Sequence, residues 1–180
     1  MGGLLAALVS VVGWTYQRSL VPAIHPDHDH ALENIAGGGF LRVQAADGKR
    51  RNLVGRPDRV LILHFFQLPS QPSEMELPLL RDYAAAVAHD RDLEVVFIGL
   101  APSWGPLRDS AERLRLPRGQ LYLDAGGKTA NLIGVRGLPE TLIYAPDGHL
   151  AQQARGTLDW STPETRASIE AIKHGGGHSH

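Results

Sequence analysis

The sequence predicts an α/β fold in which a central mixed β-sheet is flanked by helices and entered through an N-terminal β-hairpin extension. Three observations carry this reading. Residues 60–66, VLILHFF, form an almost unbroken apolar, β-branched and aromatic run whose length suits a strand buried on both faces. Residues 93–100, LEVVFIGL, make a second such run, and the stretch between them places Leu77, Leu80, Tyr83, Ala84 and Val87 on one helical face. Two Asp-Gly pairs, at 47–48 and 147–148, each stand between short strand-like segments, where a two-residue hairpin turn needs them. Two buried strands joined through a helix should lie adjacent and parallel, because the right-handed crossover permits that pairing.

Composition limits the alternatives. A chain of 180 residues with 43% apolar residues supports one ordinary core plus terminal extensions, placed here at about residues 40–173. The formal charge of -1 and the lack of a long basic run give no electrostatic footprint for nucleic acid. Cysteine is absent, which removes any disulfide framework, thiolate nucleophile or cysteine-based metal site from consideration.

Taken in order, residues 1–23 open with an uncharged apolar stretch, GGLLAALVSVVGWTY, about as long as a signal-peptide core and shorter than a comfortable bilayer span. It reads as a signal peptide or membrane anchor, against the alternative of a buried N-terminal helix. Val21-Pro22-Ala23 offers small residues for cleavage, whereas Trp14 and Tyr16 suit the interfacial end of an uncleaved anchor. Residues 24–39 read as a linker. Its His25, His28 and His30 are weak candidates for zinc or copper, since a tract without supporting contacts holds a metal loosely. Residues 40–53 form the first hairpin, and a helix over 74–89 follows the first buried strand, interrupted by Pro78. A helix over 107–116 is expected with Pro106 at its first position. A short strand at 120–124 and a short helix at 128–133 come next. The second hairpin turns at Asp147-Gly148, and a last helix, capped by Ser161 or Thr162 with Pro163 first, runs to Ile172. Residues 174–180, with His174, His178 and His180, form a flexible tail by composition.

The stretch that concentrates chemistry is the turn Gln67-Leu-Pro-Ser-Gln-Pro-Ser73 between the first buried strand and its helix. Ser70 or Ser73 can cap the helix there, and Glu76 stands three residues after Ser73, as in a capping box. Ser70, Ser73, Glu76 and Pro78 fall where the thioredoxin superfamily carries its two cysteines, an acid and a helix proline. The chain most resembles the TlpA-like and ResA-like extracytoplasmic thiol–disulfide oxidoreductases. Leu138-Pro139-Glu140-Thr141, about seventy residues on, is similar to that family's second motif, whose proline is cis and faces the redox turn. The resemblance covers roughly residues 40–172 and implies a thioredoxin-like fold, a location outside the cytoplasmic membrane, and no bound cofactor.

The resemblance also implies roles. Ser70 and Ser73 occupy the positions of the attacking and resolving cysteines, and Glu76 that of an acid exchanging protons with the second. Serine supports no thiol–disulfide exchange, because its hydroxyl is hardly ionised near neutral pH and forms no exchangeable S–S bond. Serine catalysis would need a general base beside Ser70 or Ser73 and an oxyanion hole. His64 is the nearest histidine in sequence, and as a strand residue it reads as a hydrogen-bonded core group pointing across the sheet rather than toward the turn. Glu76 fits either loss of the cysteines in descent or their deliberate replacement, and Pro69, where the family usually has Trp, favours the former.

Three functions remain open at this stage. The chain is a redox-inactive oxidoreductase relative tethered outside the membrane, a partner-binding or assembly module of a membrane redox complex, or a metal carrier using its histidine tracts. For the second, the expected docking surface is Ser70, Gln71, Pro72 and the Leu138–Pro139 peptide, where an extended partner segment adds as a strand.

Overall fold

The structure, a computed structural model, describes residues 41–53 and 59–175. The predicted leader, the linker with His25, His28 and His30, and the tail histidines His178 and His180 lie outside the described residues.

Seven strands form one sheet in the order β2-β1-β5-β4-β3-β6-β7. The first hairpin pairs β1 (Arg42–Ala45) with β2 (Arg50–Asn52), and its turn closes where Ala45 N–H donates to Lys49 O and Gly48 N–H to Ala45 O. The central pair, β3 (Val60–Phe66) and β4 (Leu93–Ala101), is parallel with Val60 opposite Leu93, and every residue of β3 is buried. Next come β5 (Leu121–Ala125), parallel to β4, and the second hairpin of β6 (Glu140–Tyr144) and β7 (Leu150–Arg155). β6 runs antiparallel to β3, and β1 antiparallel to β5, so the sheet is mixed.

Strand alternation divides β3 between two cores. Val60, Ile62 and Phe66 face α1 (Gln71–Ala86), α2 (Trp104–Arg113) and α4 (Pro163–Gly175) in one core that also holds Leu80, Leu107, Trp160 and Ile169. Leu61, Leu63 and Phe65 face the other, with Leu41 and Val43 of the first hairpin and Ala130 of α3 (Lys128–Leu132). Gly99 allows α2 to seat on β4, since a Cβ there would come within 2.3 Å of a Leu107 methyl group.

Helix boundaries depart from the sequence expectation in instructive ways. α1 starts at Gln71, not 74, with Pro72 in its first turn, and continues through Pro78 to Ala86. α2 starts at Trp104, so Pro106 is its third residue and not its first. At Pro72 and Pro106 the ring is tolerated because the first-turn N–H groups have no intrahelical partner to lose.

Candidate functional site

β3 delivers the chain into the turn and α1 takes it away, so the turn residues hang at the carboxyl end of a central strand. Ser70 is the residue before the helix, extended at φ -158 and ψ 121, and Glu74 N–H donates to its carbonyl at 2.8 Å. Gln71 and Pro72 are exposed, whereas Ser73 is fully buried. Neither serine caps α1 through its side chain: the Ser70 hydroxyl makes no capping bond, and the Ser73 hydroxyl is buried without any hydrogen-bond partner. The capping-box reading of Ser73 and Glu76 therefore fails. The helix begins two residues before Ser73, which turns its side chain into the core.

Glu76 is also buried, and its partners come from the far end of the chain. Its Oε1 accepts the Leu158 backbone N–H at 3.1 Å and the Trp160 indole Nε1–H at 2.8 Å. Trp160 is fully buried and tilts against Tyr83 of α1 with ring centroids 5.3 Å apart. His64 lies beside this pair: its Nδ1 is 3.0 Å from Thr141 Oγ1 and 3.8 Å from Glu76 Oε1. It is in phase with Ile62 and Phe66, so it points under α1 and toward the carboxyl, not away from the turn's chemistry as the sequence suggested. Among the described residues, His64 Nε2, Ser73 Oγ and Glu76 Oε2 all lack partners, a concentration of unsatisfied polar atoms under one helix.

Burial sets the protonation of this cluster. Glu76 is pushed up to about 7 by desolvation, opposed by the bonds from Trp160 and Leu158, and His64 is pushed down to about 3 by desolvation. At neutral pH His64 is uncharged and Glu76 is poised between its two forms. The linkage has two opposite signs. Between about 3 and 6.5 the unfolded state binds the extra proton at His64, so stability rises with pH; between about 4.5 and 7 the folded state binds it at Glu76, so stability falls. The two slopes, each up to about 1.4 kcal/mol per pH unit, cancel where they overlap. Urea unfolding across pH should show a plateau between about 4.5 and 6.5 with a decline on either side. Glu76→Gln should abolish the alkaline decline and leave the acid one, and an unchanged alkaline limb would remove Glu76 as its source.

The second motif lies next to the turn by register. β6 pairs with β3 so that Thr141 faces His64 and Glu140 faces Phe65, so the loop entering β6 and the turn leaving β3 share one end of the sheet. Leu138–Pro139 is cis, as is Leu68–Pro69. Glu140, fully buried, anchors the loop. Its Oε2 accepts the Arg136 and Gly137 N–H groups at 2.9 and 3.2 Å, and its Oε1 accepts Gln153 Nε2 and stands 3.6 Å from Arg155 Nε. Pro139 O accepts Gly156 N–H at 2.9 Å. Among the described residues, no hydrogen bond reaches the intervening Leu138 N–H or carbonyl.

Sequence reasoning grouped Ser70, Ser73, Glu76, Leu138 and Pro139 as one site, with the turn after β3 and the loop entering β6 set at one end of the sheet by register. It missed Trp160, Leu158, Thr141 and the loop-anchoring role of Glu140. A buried indole seeks an acceptor, which is a usable signal, but nothing local says that the acceptor is 84 residues away. Among the described residues, no base bonds the hydroxyl of Ser70 or Ser73. No group of three or more His, Asp or Glu side chains could hold a metal ion among them, and no described helix is long and apolar enough to cross a membrane.

Comparison with known proteins gives the same architecture. No family model matches the chain, and no curated protein matches it in sequence. Solved structures do match. A candidate thiol:disulfide interchange protein DsbE of Chlorobium tepidum superposes with a TM-score of 0.66 at 18% identity, covering 76% of this chain and 94% of its own. A secreted Mycobacterium tuberculosis disulfide oxidoreductase homologous to Escherichia coli DsbE gives 0.63 at 17% identity, covering 79% and 98%. StoA of Bacillus subtilis gives 0.59 at 15% identity, covering 71% and 93%. The fold is thioredoxin-like, and solved structures that share it include thiol:disulfide interchange proteins. In this chain the dithiol is absent, since it has no cysteine.

Proposed function

We propose that the chain is a TlpA-like, ResA-like protein working outside the cytoplasmic membrane as a non-covalent partner-binding module, without oxidoreductase activity. The observation that carries the reading is the unpaired Leu138 peptide, held between a carbonyl taken by Gly156 and two N–H groups taken by Glu140, at the end of the sheet where Gln71 and Pro72 are exposed. A residue whose N–H and C=O are both free on a fixed loop pairs with an extended partner segment as an added strand. That pairing needs no sulfur. The extracytoplasmic assignment rests on the resemblance and on the secreted character of the M. tuberculosis relative in fold, and tethering would fall to residues 1–23. The partner is a protein, recognised through its main chain, in keeping with an assembly role beside a membrane redox complex.

The test is a ¹⁵N-labelled titration with a reduced, alkylated and therefore unfolded protein as the source of extended segments. Amide shifts should concentrate at Gln71, Leu138 and Glu140, and the parent chain should show no insulin reduction in parallel. Shifts absent at millimolar ligand, or confined to other surfaces, would reject the docking surface.

A further inference from the structure

A cleft of about 570 Å³ opens between α2, the segment that joins it to β5, and the turn of the first hairpin at Ala46. No residue of the 67–73 turn or the 136–140 loop lines it, so it is separate from the docking surface. Its floor is apolar, from Trp104, Leu116 and Leu121, and its rim carries the side chains of Arg108, Arg115 and Arg118. One acid, Glu112, stands among them and takes Arg118 at 2.6 Å. Among the described residues, Arg108 and Arg115 have no ion-pair partner.

Arg115 is held there against the preference of its backbone. α2 ends in a Schellman motif, with Leu116 N–H donating to Ala111 O at 2.9 Å and Arg115 N–H to Glu112 O at 3.1 Å. The residue in Arg115's place in that motif is usually glycine, because it must be left-handed. Arg115 adopts φ 55, the one positive φ outside glycine among the described residues. A side chain with a Cβ disfavours that conformation, and such outliers gather at ligand sites. Arg115 thus lines the cleft from a turn that glycine would fill more easily.

We propose that this cleft binds a small amphipathic carboxylate, with its ring or short chain on Trp104, Leu116 and Leu121 and its carboxylate between Arg108 and Arg115. The volume lies within the roughly 300–1,000 Å³ of small-molecule sites. A planar guanidinium pairs a carboxylate through two parallel N–H bonds. The nearby Glu112 disfavours a dianion such as a phosphate monoester, and the apolar floor gives a bare anion nothing to cover it.

The full chain is titrated calorimetrically with 1-naphthoate, the neutral 1-naphthalenemethanol, inorganic phosphate and an Asp/Glu hexapeptide. 1-Naphthoate should bind saturably and about tenfold or more tighter than the alcohol, with affinity falling as salt rises, while phosphate and the peptide bind more weakly. Arg115→Gly separates the two roles of the residue: its melting temperature should hold or rise, because glycine accepts the left-handed turn, while 1-naphthoate affinity falls about tenfold. Arg115→Asn, which also tolerates that turn, should behave alike, and Lys128→Gln, off the cleft, should bind as the parent does. Equal binding of acid and alcohol, tighter binding of the peptide, or unchanged affinity in both Arg115 variants would overturn the proposal.

Discussion

With cysteine at both turn positions, the Ser70→Cys, Ser73→Cys protein is expected to close an intramolecular disulfide and to reduce insulin with dithiothreitol at least about tenfold faster than the uncatalysed reaction, whereas the parent chain does neither. Position 70 is half-buried at the N-terminus of α1, where unpaired N–H groups and the helix dipole favour a thiolate. Position 73 is fully buried three residues further on, where the resemblance would put a resolving thiol. The thiolate introduced at position 70 would attack a substrate disulfide and release one substrate thiolate; the thiolate at position 73 would then attack the mixed disulfide and displace the second, closing the protein disulfide. Glu76, poised at about 7, lies one helical turn from position 73 and would take the proton of the resolving thiol. Sulfur also suits the buried site better than the present hydroxyl, which has no partner. Ser70→Cys alone should stop at the mixed disulfide and not turn over. A double variant that forms its disulfide yet reduces nothing would show that substrates do not dock at this end of the sheet, and would count against the proposed binding surface as well.

What the sequence made legible follows from the range over which each signal acts. β3 and β4 are apolar runs bounded by turn residues, and both Asp-Gly turns carry their own geometry, so strands and hairpins lay where periodicity placed them. The starts of α1 and α2 were misplaced because proline is tolerated anywhere in the first turn, so Pro72 and Pro106 do not mark the first residue. Ser70 and Ser73 looked like caps because serine before an apolar helix usually is one; burial of Ser73 overrode the local preference, and burial is a tertiary fact. The polar cluster under α1 was legible only as far as Glu76. His64, Thr141, Leu158 and Trp160 reach it from strands and a loop up to 84 residues distant, and no spacing rule connects them. Arg115 was invisible for a related reason: its meaning depends on a φ of 55, which composition does not reveal.

Replacing Trp160 by alanine is expected to produce the largest loss of stability, about 3–5 kcal/mol from truncation of a fully buried aromatic side chain. The cavity opens against Tyr83 of α1, and the segment leading into α4 loses its anchor on that helix. Part of the cost is electrostatic, and Trp160→Phe isolates it. Phenylalanine keeps most of the apolar contact but removes the Nε1–H that donates to Glu76 Oε1 at 2.8 Å, leaving the Leu158 N–H as its remaining donor. That bond favours the ionised carboxylate, so its loss raises the folded-state pKa of Glu76 beyond about 7 while the unfolded value is unchanged. The folded state then holds its proton over a wider range, and the stability lost with rising pH grows. At pH 5 the carboxyl is mostly protonated in the fold and the missing donor costs little. At pH 8 the parent is largely ionised and the variant is penalised by up to about 1.5–3 kcal/mol more, the scale of a hydrogen bond to a charged group. His64 is neutral in the fold at both pH values and cancels between parent and variant. Urea unfolding of both proteins at pH 5 and pH 8 measures the difference: a penalty larger at pH 8 supports the Trp160–Glu76 linkage, and a penalty equal at the two values would mean that the indole contributes packing alone.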